Sequence, residues 1–388
     1  MKSVQTLGKY SPSNPYHVYY NLDMVNNDTT GLSQAVPLSF LEVRNSPYLT
    51  APESYCMSVV RFSIQTPTLP KFLPQVIVGQ PDKNKLIYSI TLTYKTATFQ
   101  QYIPYVSFNR SVREAEPPLF VQDVSSEYYY VMAYQQWIYM INQAFKLAVI
   151  GLQGVATGLG LGALPSLNPP FMEFIPESLN YIIDADQAGY DNALTDPIEI
   201  YFNSPMQTLF SAFNYINFGY QNITQGENYK LVVANQNGAN LLTLPGYTAL
   251  QCYSEFSTCA LWNPIAKISF TTSLLPVVPE NVSLPKIYNS PQGANLSGGN
   301  NSNISPILTD FEVPFSALNT YCPNITYTPS CEYRMTDLYG DNVLSGIQLA
   351  VFWIDYYGNS YPIQLASGCS ASVKLLFRKK SWNASDYS

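Results

Sequence analysis

Over many short stretches of this chain, apolar and polar positions alternate with a period of two. From Lys85 to Tyr94, residues Leu86, Tyr88, Ile90, Leu92 and Tyr94 share one face. Neighbouring side chains of a strand point to opposite sides, so this stretch predicts a half-buried strand at Leu86–Tyr94. Tyr55–Ile64 has the β-branched and aromatic content of a strand with blurred alternation, as expected of one buried on both faces. Further strands are predicted near Phe171–Ile183 and at Ile198–Phe202, Leu231–Ala234, Ala249–Phe256, Ile265–Thr272, Ile347–Asp355 and Ser372–Arg378.

Two stretches depart from that period. Between Ser126 and Val149, Tyr130, Tyr134, Trp137, Ile138, Ile141 and Phe145 recur at three- and four-residue spacing, which predicts an amphipathic helix capped by Ser125 or Ser126. A short helix is predicted at about Pro205–Phe213. The tract Gly158–Gly162 has no following Lys-Ser/Thr, so it reads as a turn and not as a phosphate loop. Glu280–Tyr333 is rich in Asn, Ser, Gly and Pro and reads as a long surface loop. Residues 1–45 lack a helical period, are rich in Tyr, Asn, Ser and Pro, and read as an extended arm that a neighbour orders. Many strands and two helices indicate an antiparallel sandwich with long excursions, not βαβ units.

Composition sharpens this picture. The 388 residues include 32 tyrosines, one histidine and 12% charged residues. Tyrosine offers broad contact area with a polar tip and suits protein–protein surfaces. Histidine is the usual proton-transfer residue near neutral pH, and here it is confined to His17 in the arm. The chain therefore reads as built to pack and assemble, not to catalyse. A net charge of −7 and a pI near 4.8 argue against a broad nucleic-acid footprint. The cluster Arg378-Lys379-Lys380 is either a solvated strand end or a contact with packaged nucleic acid.

Met1-Lys2 leads into polar residues, so no secretory leader is expected. The softly apolar stretch Phe145–Leu167 is broken by five glycines and Pro165, so a soluble protein is expected. Cys56 and Cys369 read as small buried hydrophobes. Cys252 with Cys259, and Cys322 with Cys331, have spacings that an oxidising compartment would allow to close, and reduced thiols are the default otherwise. The spacings fit no zinc pattern, and neither a metal nor a cofactor is expected. Nine Asn-x-Ser/Thr sequons, including Asn295, Asn300 and Asn303, mark polar loops.

Paired carboxylates are the remaining catalytic option. Asp184 with Asp186, or Asp337 with Asp341, have the chemistry to act as acid and base on a sugar or to hold calcium. Each lies beside Gly, Asn or Pro, where aspartate commonly closes turns, and the turn reading is preferred.

Three long stretches resemble the penton (minor capsid) proteins of virophages, Polinton-like viruses and related viruses with double-jelly-roll major capsids. They are PESYCMSVVRFSIQTPTLPKFLPQV from Pro52 to Val76, LWNPIAKISFTTSLLPVVPE from Leu261 to Glu280, and RMTDLYGDNVLSGIQLAVFWIDYYGNSYPIQLASGCSASVKLLFRKK from Arg334 to Lys380. NPPFMEFIPESLNYIIDADQAGYD followed by IEIYFNSPMQTLFSAF adds a weaker likeness. Together they cover about half of the chain in the family's order.

The resemblance implies a single jelly-roll sandwich with long inserted connections, assembling as a homopentamer at the fivefold vertices of an icosahedral virion inside the host cell. Taking Tyr55–Ile64 as the first strand and Ser372–Arg378 as the last supplies eight strands, with insertions near residues 96–170, 204–248 and 273–346 of a domain spanning 46–388. The expected partners are other copies of the chain, the major capsid protein, and a host receptor reached through projecting loops; no specific nucleic-acid binding is expected. In the arm, Tyr16, His17, Tyr19 and Tyr20 are the expected assembly contacts. Two alternatives stay open: a secreted or surface β-sandwich adhesin or carbohydrate-binding protein, and a carbohydrate-active enzyme using the carboxylates.

Overall fold

A computed structural model describes residues 15–27, 36–65, 69, 88–103, 131, 133–218, 225–263, 265–278, 307–313, 324–328, 334–356, 358 and 360–380, to which all structural statements refer. The chain divides into two compact units, residues 70–264 and the two flanking segments 1–69 and 265–388. The first flanking segment supplies strands β1 (His17–Val25), β2 (Ser39–Val43) and β3 (Tyr55–Gln65).

The inserted segment follows with β4 (Ser89–Tyr94), β5 (Ala97–Tyr102), helix α1 (Tyr134–Gly158), β6 (Phe171–Ile175) and β7 (Asn180–Asp186). It continues with α2 (Gln187–Tyr190), β8 (Glu199–Phe202), α3 (Ser204–Leu209), β9 (Tyr215–Asn217), β10 (Tyr229–Leu231), β11 (Leu241–Leu244) and β12 (Tyr247–Tyr253). The returning segment carries β13 (Ile265–Thr271), β14 (Ile307–Glu312), β15 (Asn324–Tyr327), β16 (Gly346–Asp355) and β17 (Ser370–Lys379).

In the flanking unit, one sheet has the order β1-β17-β3-β15, and the other runs β14-β13-β16 with β2 on the far side of β16. All these pairings are antiparallel. Their inner faces share one core. The Phe62 ring on β3 meets Phe270 on β13 edge-on at 5.0 Å, and Phe311 on β14 stacks on Tyr327 of β15 at 4.0 Å.

Strand β3 also explains its own blurred alternation. Its buried apolar positions are Tyr55, Met57 and Val59, then Phe62 and Ile64. Opposite it, Lys374 pairs with Arg61 and Leu375 with Val59, leaving Val60 without a partner. One extra residue reverses the parity of inward positions, so a β-bulge blurs the alternation, and Ser58 is buried on the other face as well.

The inserted unit has two sheets, β9-β10-β8-β4-β5 and β11-β12-β7-β6. Helix α1 packs on strands of both. Trp137 meets Tyr88 edge-on at 5.4 Å, Tyr134 stacks on Phe174 at 4.6 Å, and the Asn142 amide exchanges two hydrogen bonds with the Met172 backbone. The helix starts its described course at Tyr134 and runs past the expected Val149 to Gly158; the expected cap at Ser125 or Ser126 lies outside the described residues. It tolerates Gly151 for a packing reason: a Cβ there would meet the Phe99 ring at 2.3 Å. It stops at Gly160, whose φ of +72° suits glycine. The N–H of Gly160 donates to the Thr157 carbonyl and that of Leu161 to the Ala156 carbonyl, which makes a Schellman cap.

The eight strands expected to form one sandwich therefore separate. Tyr55–Ile64, Ile265–Thr272, Ile347–Asp355 and Ser372–Arg378 fall in the flanking unit. Leu86–Tyr94, Phe171–Ile183, Ile198–Phe202 and Ala249–Phe256 pair with one another or their neighbours inside the inserted unit. The flanking unit completes its sheets with β1, β2, β14 and β15, from segments read as arm and loop. These four are four to nine residues long and lie at sheet edges, where one side of the strand needs no apolar partner.

Candidate functional site, a tyrosine-bearing edge strand

The expected assembly residues Tyr16, His17, Tyr19 and Tyr20 are not on a separate arm. Tyr16 immediately precedes β1 and the other three are on it, paired along β17 from His17–Arg378 to Val25–Ser370. The segment folds this way because Val18, Tyr20, Leu22 and Met24 alternate with His17, Tyr19, Asn21 and Asp23. The first set turns inward and the second is exposed. Among the described strands β1 pairs only with β17, so its other edge carries no described strand.

The start of the strand is anchored at two points. The Tyr55 hydroxyl donates to the Pro15 carbonyl at 2.7 Å, and the Lys379 N–H donates to the Tyr16 carbonyl at 3.0 Å. The Lys379 ammonium stands 5.7 Å from the Tyr16 ring centre.

Tyr20 and Tyr19 then do different things. Tyr20 meets Tyr48 edge-on at 4.9 Å, and the Arg44 guanidinium lies 4.8 Å and 5.0 Å from the two ring centres. Arg44 Nη2 donates to the Tyr20 hydroxyl at 2.7 Å and Nε to the Glu42 carboxylate at 3.1 Å. Partial burial, then the Glu42 carboxylate, push the Tyr20 phenol well above its ordinary range. Glu42 is held below the usual carboxylate range by Tyr20 and then Arg44. This cluster locks β1 to the segment after β2. Tyr19 is 59% exposed with the Lys374 ammonium 5.3 Å from its ring centre, and His17 is exposed beside it. Tyr19 and His17 are thus free to meet a partner, whereas Tyr20 is already used within the fold.

Arg44, Glu42, Tyr48 and Lys374 were not singled out in the sequence. The alternation through residues 17–25 was a readable signal, but the pairing that gathers these residues was not.

The carboxylate pairs take other roles. Asp186 accepts from Ser166 Oγ and Asn168 Nδ2, each at 2.7 Å, and from the Ala188 N–H at 3.0 Å as the cap of α2. Asp184, on the same strand, is 1% exposed, and burial pushes its carboxyl up to about 6. Gln251, its cross-strand neighbour, offsets part of that shift without reaching good hydrogen-bond geometry. Asp337 is exposed and 3.5 Å from the Lys380 ammonium. Asp341 is exposed in a bend. Among the described residues, no group of three His, Cys, Asp or Glu is arranged to hold a metal ion.

Cys252 and Cys259 are separate free thiols, as are Cys56 and Cys369. Burial pushes the Cys252 thiol up to about 12, with the Asp184 charge adding to it. Cys322, Cys331 and the sequons Asn295, Asn300 and Asn303 lie outside the described residues.

Comparison with known proteins agrees with this architecture. Structural protein V19 of Sputnik virophage is 30% identical over 202 residues, which is 51% of this chain and 88% of V19. Sputnik's uncharacterized protein V18 is 32% identical over 145 residues, 34% of this chain and 83% of V18. A chain in the cryo-EM structure of the Sputnik virophage superposes with a TM-score of 0.71 at 27% identity, covering 95% of this chain and 99% of that one. The crystal structure of the mavirus penton protein shares the fold at a TM-score of 0.59 and 18% identity, covering 94% and 99%. The family described as Sputnik minor capsid protein V18/19 matches residues 18–379, from β1 through β17, and the chain belongs to that family.

Proposed function

We propose that this chain is the penton of an icosahedral virion, with the flanking unit as a single jelly roll that closes into a homopentamer at the fivefold vertices. One observation carries the reading. Numbered in chain order within that unit, β1, β2, β3, β13, β14, β15, β16 and β17 form sheets of order 1-8-3-6 and 2-7-4-5. That is the strand order of two Greek keys wound into one jelly roll. Membership of a minor capsid family and the fold shared with the mavirus penton protein support the vertex role. They favour it over an adhesin or a carbohydrate-active enzyme, and no catalytic turnover is expected of the vertex protein.

Subunits in a ring meet through two different faces, each large and fairly apolar when no covalent link is present. The outer edge of β1, with the exposed Tyr19 and His17, supplies one such contact, to another copy or to the major capsid protein. The inserted unit is a separate compact body and the natural carrier of contacts outside the shell, a host receptor included. Purified protein should run as a pentamer by light scattering, and cryo-EM of particles should show this chain at the vertices. A stable monomer together with vertices lacking this chain would defeat the proposal.

A further inference from the structure

We propose that the outward face of helix α1 is a contact surface for a second copy of this chain, covered when subunits close into the ring. The inference rests on the vertex reading for the ring itself and adds to it a named surface on the inserted unit.

The pattern of α1 carries the case. A surface helix turns an apolar stripe to the core and a charged or polar face to water, and a helix that is apolar all round is buried all round. Across the 25 residues of α1 the one charged side chain is Lys146. Trp137, Ile141, Phe145 and Leu152 fill the core. On the other side, Tyr139, Gln143, Leu147, Ile150, Gly154 and Gly158 follow one another at spacings of three and four, which makes one stripe along the helix. Tyr139, Leu147 and Ile150 are exposed, and so are both glycines. Water therefore meets three large apolar groups on a helix with the composition of an interior element.

Gly154 is a second sign of a neighbour. Glycine inside a helix costs about 1 kcal/mol relative to alanine. Gly151 has its reason in the Phe99 ring, but a Cβ at Gly154 would meet nothing within 4 Å, so packing among the described residues supplies none. A partner lying close against the helix backbone does.

Charge and size point to another copy as that partner. With a net charge of −7, two copies repel through much of their surface. The stripe carries no carboxylate and the charge beside it is positive, so copies meet there without that repulsion. A helix of this length is about 37 Å long and ~10 Å wide, a face on the order of 400 Å², about half of what each partner buries in a standard interface. That is small for a partner arriving from solution. A copy already held in the ring meets the stripe at high effective concentration, and the smaller contact is then enough. A lipid surface fits less well, since helices that lie on membranes line their polar face with Lys and Arg.

The test uses the full-length chain, with side-chain exposure read by carbene labelling and mass spectrometry. In a lone chain Ile150, 60% exposed, should label more heavily than Leu241, 40% exposed; in the pentamer that order should reverse. Leu241 is a suitable reference because β11 lies at the opposite edge of its sheet from β6, on which α1 packs. Leu147→Glu with Ile150→Glu should raise the concentration at which pentamers half-dissociate about tenfold or more, as expected when charge enters an apolar contact. Leu241→Glu with Thr243→Glu, the same change in net charge on exposed positions of β11, should assemble as the parent does. Each variant is checked for an unchanged melting transition. A pentamer that still labels Ile150 more heavily than Leu241, or a Leu147/Ile150 variant that assembles at the parent's concentration, would sink this inference alone and leave the vertex reading intact. Reversal seen only in whole particles would assign the face to a different capsid protein and overturn the inference as well. A chain that stays monomeric would overturn both.

Discussion

The two units bury their sheets with chain segments of very different separation. In the flanking unit, β1 pairs with β17 and β3 with β17, so residues 17–25 and 55–65 wait for residues 370–379. In the inserted unit the hairpins β4–β5, β6–β7 and β11–β12 form locally, α1 covers the earlier and later strands, and the widest strand pairing, β4 with β8, joins Ile90 to Phe202. Non-local pairing bears loop-closure entropy before any contact repays it, and local hairpins bear little. The difference teaches that the inserted unit closes over shorter separations, whereas the flanking unit depends on both chain ends arriving.

The largest expected effect removes that dependence. Truncation before Ser370 deletes β17 from between β1 and β3 and should abolish protection of the flanking unit in hydrogen exchange. Amides of α1 should stay protected. Equal loss in both units would break the comparison.

Single core substitutions should sharpen it. Phe62 is fully buried against Phe270, and Phe62→Ala should destabilise the flanking unit by about 3–5 kcal/mol. Phe145, fully buried on α1, should show a cost of the same size in the inserted unit when changed to alanine. Denaturant unfolding followed by exchange in each unit would reveal whether the two losses stay apart.

A smaller, pH-dependent effect belongs to the inserted unit. Burial raises the folded-state pKa of Asp184 to about 6, above its unfolded value. Its contribution is therefore fully present below about pH 4 and is lost as pH rises through about 6, at most about 3 kcal/mol in all. Asp184→Asn should remove that decline, and melting of the inserted unit between pH 4 and 8 would show it. A parent protein whose inserted unit melts identically across that range would contradict the burial argument.

The smallest effect is at the helix stop. Gly160→Ala places a Cβ at φ +72° and should cost about 1–2 kcal/mol, confined to the end of α1. Thermal melting and exchange at residues 156–164 would detect it.

By itself, the sequence determined the class and the strongest strands. Aromatic and β-branched runs made β3, β13, β16 and β17 legible almost to the residue, and the three-to-four spacing of Tyr134, Trp137, Ile141 and Phe145 made α1 legible. Tyr55–Ile64 and Ser372–Arg378, legible as the first and last strands of the resemblance, pair with each other, Val373 opposite Phe62 and Leu375 opposite Val59. These features follow from burial, which the apolar pattern records directly.

Tertiary structure alone decided the division into units, the edge strands and the surface. Strands such as β15, four residues of mixed polarity, acquire their conformation from the neighbour they pair with, and no local pattern records which neighbour that is. The same holds for Tyr20 locked by Arg44 while Tyr19 stays exposed, and for Lys374 set against Arg61. Register between distant segments sets those juxtapositions, and it emerges only when the two sheets close on a common core.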